Sequence, residues 1–311
     1  MNHPLGQVAL ALSGGAALGF GHIGALRALE EQGIKPAWLA GTSAGALIGA
    51  LYARGLSISA IEAIACQIDR KKTIHLLSPF IPRGGLADAR NLVTFLNEIL
   101  GENTCIEDLQ IPFIAVSVDF QTGDTLYLNK GNLVDAIRAS ISIPGFFKPV
   151  EANGTFLVDG GLRENLPLCI LREFNPDTLI GVNVLKIKQL RFDGYFTGID
   201  SGQTIDRSET DHFFERVTSA LMPNRRTPTK DLPNIPYSSI HSLMILMTEL
   251  ANKEIRLADP DLVIQLDLSF MKLWEFWRAR EAIEAAYEDA RFQIIDYLKR
   301  RRTNKNYLSL R

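Results

Sequence analysis

Two hydrophobic rhythms alternate along the chain. Short, nearly unbroken apolar runs begin at Val8 and recur at residues 34–40, 113–118, 155–158, 178–184 and 262–265, and they read as strands. The run at 113–118 has no polar alternation and suits a strand covered on both faces. Between the runs, apolar residues return every third or fourth position. Residues 18–32 carry Leu18, Ile23, Leu26 and Leu29 at helical spacing with Gly33 as a C-cap, and helices are predicted again at 44–54, 57–68 with Ser57 as N-cap, 88–100 and 133–140. Further helices are expected around 168–174, at 241–258 and at 274–301, the last as a charged amphipathic helix wrapping the sheet. Residues 71–85, with two prolines and two glycines, read as a loop, 119–123 as a turn, and 125–128 as a partner strand. Strands that alternate with helices predict an α/β fold with a mainly parallel central sheet flanked by helices on both sides.

From about 186 to 236 the texture becomes charged and rich in Gly, Pro and Ser, which suggests an insertion or cap within one domain of 311 residues. Hydrophobic content of 46% and charged content of 22% are those of a globular protein, and a net charge of −2 provides no field that would select nucleic acid. Cys66, Cys105 and Cys169 lack paired metal-ligand spacing, and a reduced, cytoplasmic setting is the simplest expectation. No apolar run reaches the roughly 20 residues of a spanning helix, so any membrane contact is expected to be peripheral.

The chemistry gathers in the first fifty residues. The first strand empties into Gly14, Gly15, Ala16 and Gly19 before a helix, a layout that points backbone N–H groups at an anion. The second strand ends in Gly-Thr-Ser-Ala-Gly at 41–45, where a tight strand-to-helix turn flanked by Gly41 and Gly45 would present the Ser43 hydroxyl. Small residues gathered at a helix start for packing are the plain competitor. A dinucleotide fingerprint fits less well, because no acidic residue closes the next strand, and no Gly-Lys-Ser/Thr marks a phosphate loop.

A serine nucleophile needs a base. Asp159 ends a short apolar strand and is followed by Gly160 and Gly161, which leave room for close approach; a turn aspartate is the alternative. The order Ser43, Asp159, His241 also permits a hydrolase triad, although the serine follows only the second strand here. His22, one turn into the first helix, reads as a packing or hydrogen-bonding residue, and Asp119 as a turn cap.

At these residues the chain resembles the patatin-like phospholipases, including bacterial members related to the neuropathy target esterase catalytic domain. The resemblance rests on four ordered blocks: residues 13–19 with 22–24, residues 41–45, Arg-Ala-Ser-Ile-Ser-Ile-Pro-Gly at 138–145, and Asp-Gly-Gly at 159–161. It implies a three-layer α/β/α fold and a Ser/Asp dyad without histidine, with Ser43 as nucleophile, Asp159 as base and the Gly14, Gly15 and Ala16 amides as oxyanion hole. It implies carboxylic esters of lipids, phospholipid or lysophospholipid, as substrates, and neither cofactor nor metal. Acyl transfer to a lipid acceptor and a weakly active lipid-binding module remain open alternatives. The chain departs from the family pattern at Leu18, where a basic residue is common, and at Ala16, where many members carry a third glycine. Phe146 and Phe147, and Phe213, Phe214, Leu221 and Met222 beside Arg225 and Arg226, are candidates for dipping into a lipid interface, with packing onto the core as the alternative.

Overall fold

The computed structural model describes residues 4–77, 90–152, 154–186 and 235–308. The strands are β1 (Val8–Leu12), β2 (Pro36–Thr42), β3 (Phe113–Asp119), β4 (Thr125–Leu128), β5 (Val150–Ala152), β6 (Thr155–Asp159), β7 (Thr178–Asn183) and β8 (Leu262–Gln265). Among the described residues they build one sheet in the order β5-β6-β3-β2-β1-β7-β8, with β4 also pairing β3. The pairs from β3 through β2, β1 and β7 to β8 are parallel, and those made by β4, β5 and β6 are antiparallel.

Helices cover both faces, as the alternation of β1 side chains requires. Val8, Leu10 and Leu12 enter the larger core with α1 (Gly21–Glu31), α2 (Ala44–Ala53), α3 (Ile58–Cys66), α5 (Arg90–Leu100) and α6 (Leu133–Ser140). Ala9 and Ala11 turn the other way, toward α7 (Leu168–Arg172) and Ala251 and Ala258 of α8 (Ile235–Ala258). The last helix, α9 (Ala279–Leu308), lies along α1, where a Cβ on Gly24 would stand 2.2 Å from the Ile283 carbonyl oxygen. Its core contribution is Ala279, Ala282, Ile283, Ala286, Ala290 and Ile294, an apolar stripe at helical spacing. It is thus docked chiefly on α1 and touches the sheet at β8, where Gln293 bonds the Gln265 main chain.

Two elements depart from the sequence reading. A helix, α4 (Arg70–Leu77), opens the stretch expected to be a loop, and the remainder of that loop lies outside the described residues. Asp69 starts it, accepting the Lys72 N–H on Oδ1 at 2.7 Å, while the prolines and glycines that suggested a loop come only afterwards. The short strand β5 was not anticipated, since three residues are too few to establish a period. Elsewhere caps appear where expected: Ser57 Oγ accepts the Ala60 N–H, and Asp119 Oδ1 accepts from Gln121 and Thr122. Nearly all of the candidate cap at 186–236, with Phe213, Phe214, Leu221, Met222, Arg225 and Arg226, lies outside the described residues.

One feature of the sheet positions the site. Val116 of β3 pairs with Thr42 on one side and Tyr127 on the other, while Ser117 pairs with Leu126 and Asp159. A strand has two edges, so with β4 on one of them, β2 and β6 share the other. They meet there end to end, and the last residues of both strands face each other.

Candidate active site

Ser43 stands where β2 turns into α2, with φ 53° and ψ −121°. A non-glycine residue held in such a region costs on the order of 1–3 kcal/mol and needs neighbours that fix it. Gly41 and Gly45 make the turn possible. A Cβ on Gly41 would lie 2.5 Å from the Gly45 carbonyl oxygen, and one on Gly45 would lie 2.4 Å from that of Leu12. The Ser43 side chain does not cap its own helix. Its hydroxyl instead donates to Asp159 Oδ2 at 2.6 Å, a short contact of the charge-assisted kind.

Asp159 is held as firmly. Its Oδ1 accepts the Gly161 N–H at 2.8 Å, and its own N–H donates to the Ser142 carbonyl at 3.0 Å. The same segment reaches the serine, because Ser140 Oγ accepts the Ser43 N–H at 2.9 Å. The end of α6 therefore ties both residues of the pair, a role that the 138–145 block did not disclose when read as sequence. Burial raises the Asp159 carboxyl to about 7, against the opposing pull of its hydrogen bonds from Ser43 and Gly161.

The glycine loop after β1 lies against this pair: a Cβ on Gly14 would be 3.2 Å from Ser43 Cβ. The loop is pinned at several points. The Ser13 N–H donates to Val182 O, Ser13 Oγ accepts the Val184 N–H, and the Ala17 N–H donates to Leu273 O. The Gly14 N–H is engaged by the Asn165 carbonyl at 3.0 Å, which removes it from the three predicted oxyanion donors in this conformation. Among the described residues the Gly15 and Ala16 amides have no protein acceptor, and Ala16 has a φ of 49°. Leu18 is buried in the larger core, so the family's usual cation is replaced by packing.

The single proton of the Ser43 hydroxyl goes to a carboxylate, which leaves no part for His241 as its acceptor in this arrangement. His22 is fully buried, with Nε2 donating to the Ser13 carbonyl at 2.8 Å, and burial lowers it to about 4, partly offset by that bond. It is thus a neutral imidazole that braces the loop. Two residues near the pair gave no sequence signal. Asn165 presses Oδ1 toward Gly14 and Gly161, and Met247 of α8 places Cε 2.2 Å from where a Cβ on Gly161 would be. Met247 thus packs against Gly14 and Gly161, and Ser43 is only 3% exposed. Of the aromatic pair proposed for lipid contact, Phe147 is buried in the core and Phe146 packs against it, so packing is the better account of both.

A family model described as patatin-like phospholipase matches residues 10–172, just over half of the chain and the whole span from the glycine loop through Asp-Gly-Gly. The chain belongs to the patatin-like phospholipase family. An NTE family protein of Mycobacterium tuberculosis is 36% identical to this patatin-like chain over 178 residues, 57% of this chain and 49% of that protein. The neuropathy target esterase sws of Drosophila melanogaster is 30% identical over 183 residues, 57% of this chain and 13% of its own length. Mouse patatin-like phospholipase domain-containing protein 6 is 33% identical over 183 residues, again 57% of this chain and 13% of its own. The matched region thus spans about half of the mycobacterial relative and a small part of the animal ones. Among the described residues no helix is long and apolar enough to cross a membrane, and no group of His, Cys, Asp and Glu is arranged to hold a metal ion.

Proposed function

We propose that the protein is a serine acyl hydrolase that cleaves carboxylic esters of lipids, phospholipid or lysophospholipid, through a Ser43–Asp159 dyad. The 2.6 Å bond from the Ser43 hydroxyl to a buried carboxylate carries this reading. A free carboxylate, with a pKa near 4, is a poor base for a serine; one raised to about 7 by burial is matched to neutral pH. Asp159 Oδ2 takes the hydroxyl proton as Ser43 Oγ attacks the ester carbonyl. The oxyanion is received by the Gly15 and Ala16 amides, each donor contributing on the order of 3 kcal/mol. Asp159 then returns the proton to the leaving alcohol, and water hydrolyses the acyl-enzyme by the reverse proton path.

Membership of a phospholipase family and the likeness to neuropathy target esterase support a lipid ester as substrate. The helix that bears Met247 supports a transient membrane contact, since Ile245 and Leu246 on α8 are exposed apolar residues. Hydrolysis of a short-chain p-nitrophenyl ester tests the dyad. Ser43→Ala and Asp159→Asn are each expected to lower kcat at least about 1,000-fold while the thermal unfolding transition is kept. Near-full turnover by Asp159→Asn would remove the dyad.

A further inference from the structure

Asn165 is buried with 0% exposure, yet neither its Oδ1 nor its Nδ2 has a hydrogen-bond partner among the described residues. A buried carboxamide with both ends unmatched is costly and calls for an explanation. Its place supplies one. Oδ1 lies 2.6 Å from where a Cβ on Gly14 would be and 3.1 Å from the corresponding point on Gly161, and Asp159 Oδ1 is 3.0 Å from that second point. The carboxamide therefore flanks the Ser43–Asp159 pair between the glycine loop and the Asp-Gly-Gly turn. The fold does not depend on the side chain for this, because it is the Asn165 main-chain carbonyl that holds the Gly14 N–H.

The unmet groups specify the ligand. An ester carbonyl or an oxyanion would take the Nδ2 donor and leave Oδ1 unmatched. Water uses both ends: its oxygen accepts from Nδ2–H and one of its protons goes to Oδ1, which leaves the second proton for Asp159. An alcohol has one proton and cannot serve Oδ1 and Asp159 together.

We propose that Asn165 seats and orients the water that hydrolyses the acyl-enzyme, and so biases the enzyme toward hydrolysis over transfer of the acyl group to an alcohol. The step balances without a further reactant. The water gives one proton to Asp159 as its oxygen bonds the acyl carbon, the ester bond to Ser43 Oγ breaks, and Asp159 returns that proton to Oγ. The released acid carries the new C–O bond. The inference rests on the serine hydrolase reading above.

The experiment compares wild type with Asn165→Leu and the smaller Asn165→Ala on a p-nitrophenyl ester, whose leaving group needs no proton. Burst kinetics separate acylation from deacylation, and intact mass records acyl-Ser43. The expected result is deacylation slowed about 10- to 100-fold, acylation within about threefold, accumulation of acyl-enzyme, and a higher ratio of methyl ester to free acid when methanol is added. The unfolding temperature should be kept in the variants, since no hydrogen bond from the carboxamide to the described residues is lost. Deacylation and methanol partition unchanged in both variants would overturn the inference, as would equal slowing of both steps with unchanged partition. A fluorophosphonate adduct on Ser43 in every protein tested keeps failure here distinct from failure of the hydrolase reading, in which wild type itself would take no adduct.

Discussion

At the scale of single residues, the proposed role of Asp159 as base makes a prediction about pH. With a value raised to about 7, it is protonated and unable to act as base in acid, and is ionised in mild alkali. The expected kcat/KM for a neutral ester therefore rises with pH, is half-maximal near pH 7, and levels above about pH 8. A profile already level from pH 5 would mean that the carboxylate of the working enzyme is not desolvated as it is here. The pair that the fold brings together, Ser43 and Asp159, was legible in the sequence because each carries a backbone signature: Ser43 lies between glycines at a strand end, and Asp159 precedes two glycines. Asn165 and Met247 have no such signature. Asn165 stands in Asn-Leu-Pro-Leu and Met247 in a long apolar helix, so only the folded arrangement brings them to the serine. The Gly14 amide shows the same limit, since glycine spacing marks a loop of free donors but not which donor a distant carbonyl will take.

At the scale of elements, two contacts do most to hold the site. The first is the meeting of β2 and β6 on one edge of β3, which brings a parallel and an antiparallel strand end to end and needs no helix between Ser43 and Asp159. Apolar runs predicted both strands, but their pairing is a matter of topology that hydrophobic periodicity does not encode. The second is the packing of α9 on α1, the helix that follows the glycine loop. Gly24 admits the Ile283 backbone, and Arg27 clasps Glu284 through two hydrogen bonds of 3.1 and 2.8 Å while stacking 4.0 Å above the Tyr287 ring. A side chain at Gly24 meets backbone that cannot yield easily, so Gly24→Val is expected to destabilise by roughly 3 kcal/mol or more, read as a lowered midpoint in urea denaturation. A midpoint within experimental error of wild type would show that the two helices can separate without loss. The last helix was legible from its amphipathic period, although it begins at Ala279 rather than at 274, whereas its chief partner, α1 rather than the sheet, was not, because small residues such as Gly24 and Ala286 look alike whether they face a helix or solvent.

At the scale of the whole molecule, the parallel strands carry the glycine loop and the serine turn on the same end of the sheet, where an α/β protein characteristically binds its ligand. The antiparallel strands then bring the acid back to that end. Alternate β1 side chains divide the core between the two faces of the sheet, which is packed on both sides. The proposed mechanism has this scaffold activate one serine through one aspartate and no histidine. Intact-mass analysis after a fluorophosphonate probe tests it most directly, with wild type, Ser43→Ala, Asp159→Asn and His241→Ala compared side by side. A single adduct is expected on wild type and on His241→Ala, none on Ser43→Ala, and labelling slowed at least about 100-fold in Asp159→Asn. Loss of labelling in a folded His241→Ala, or labelling of Asp159→Asn at the wild-type rate, would contradict it.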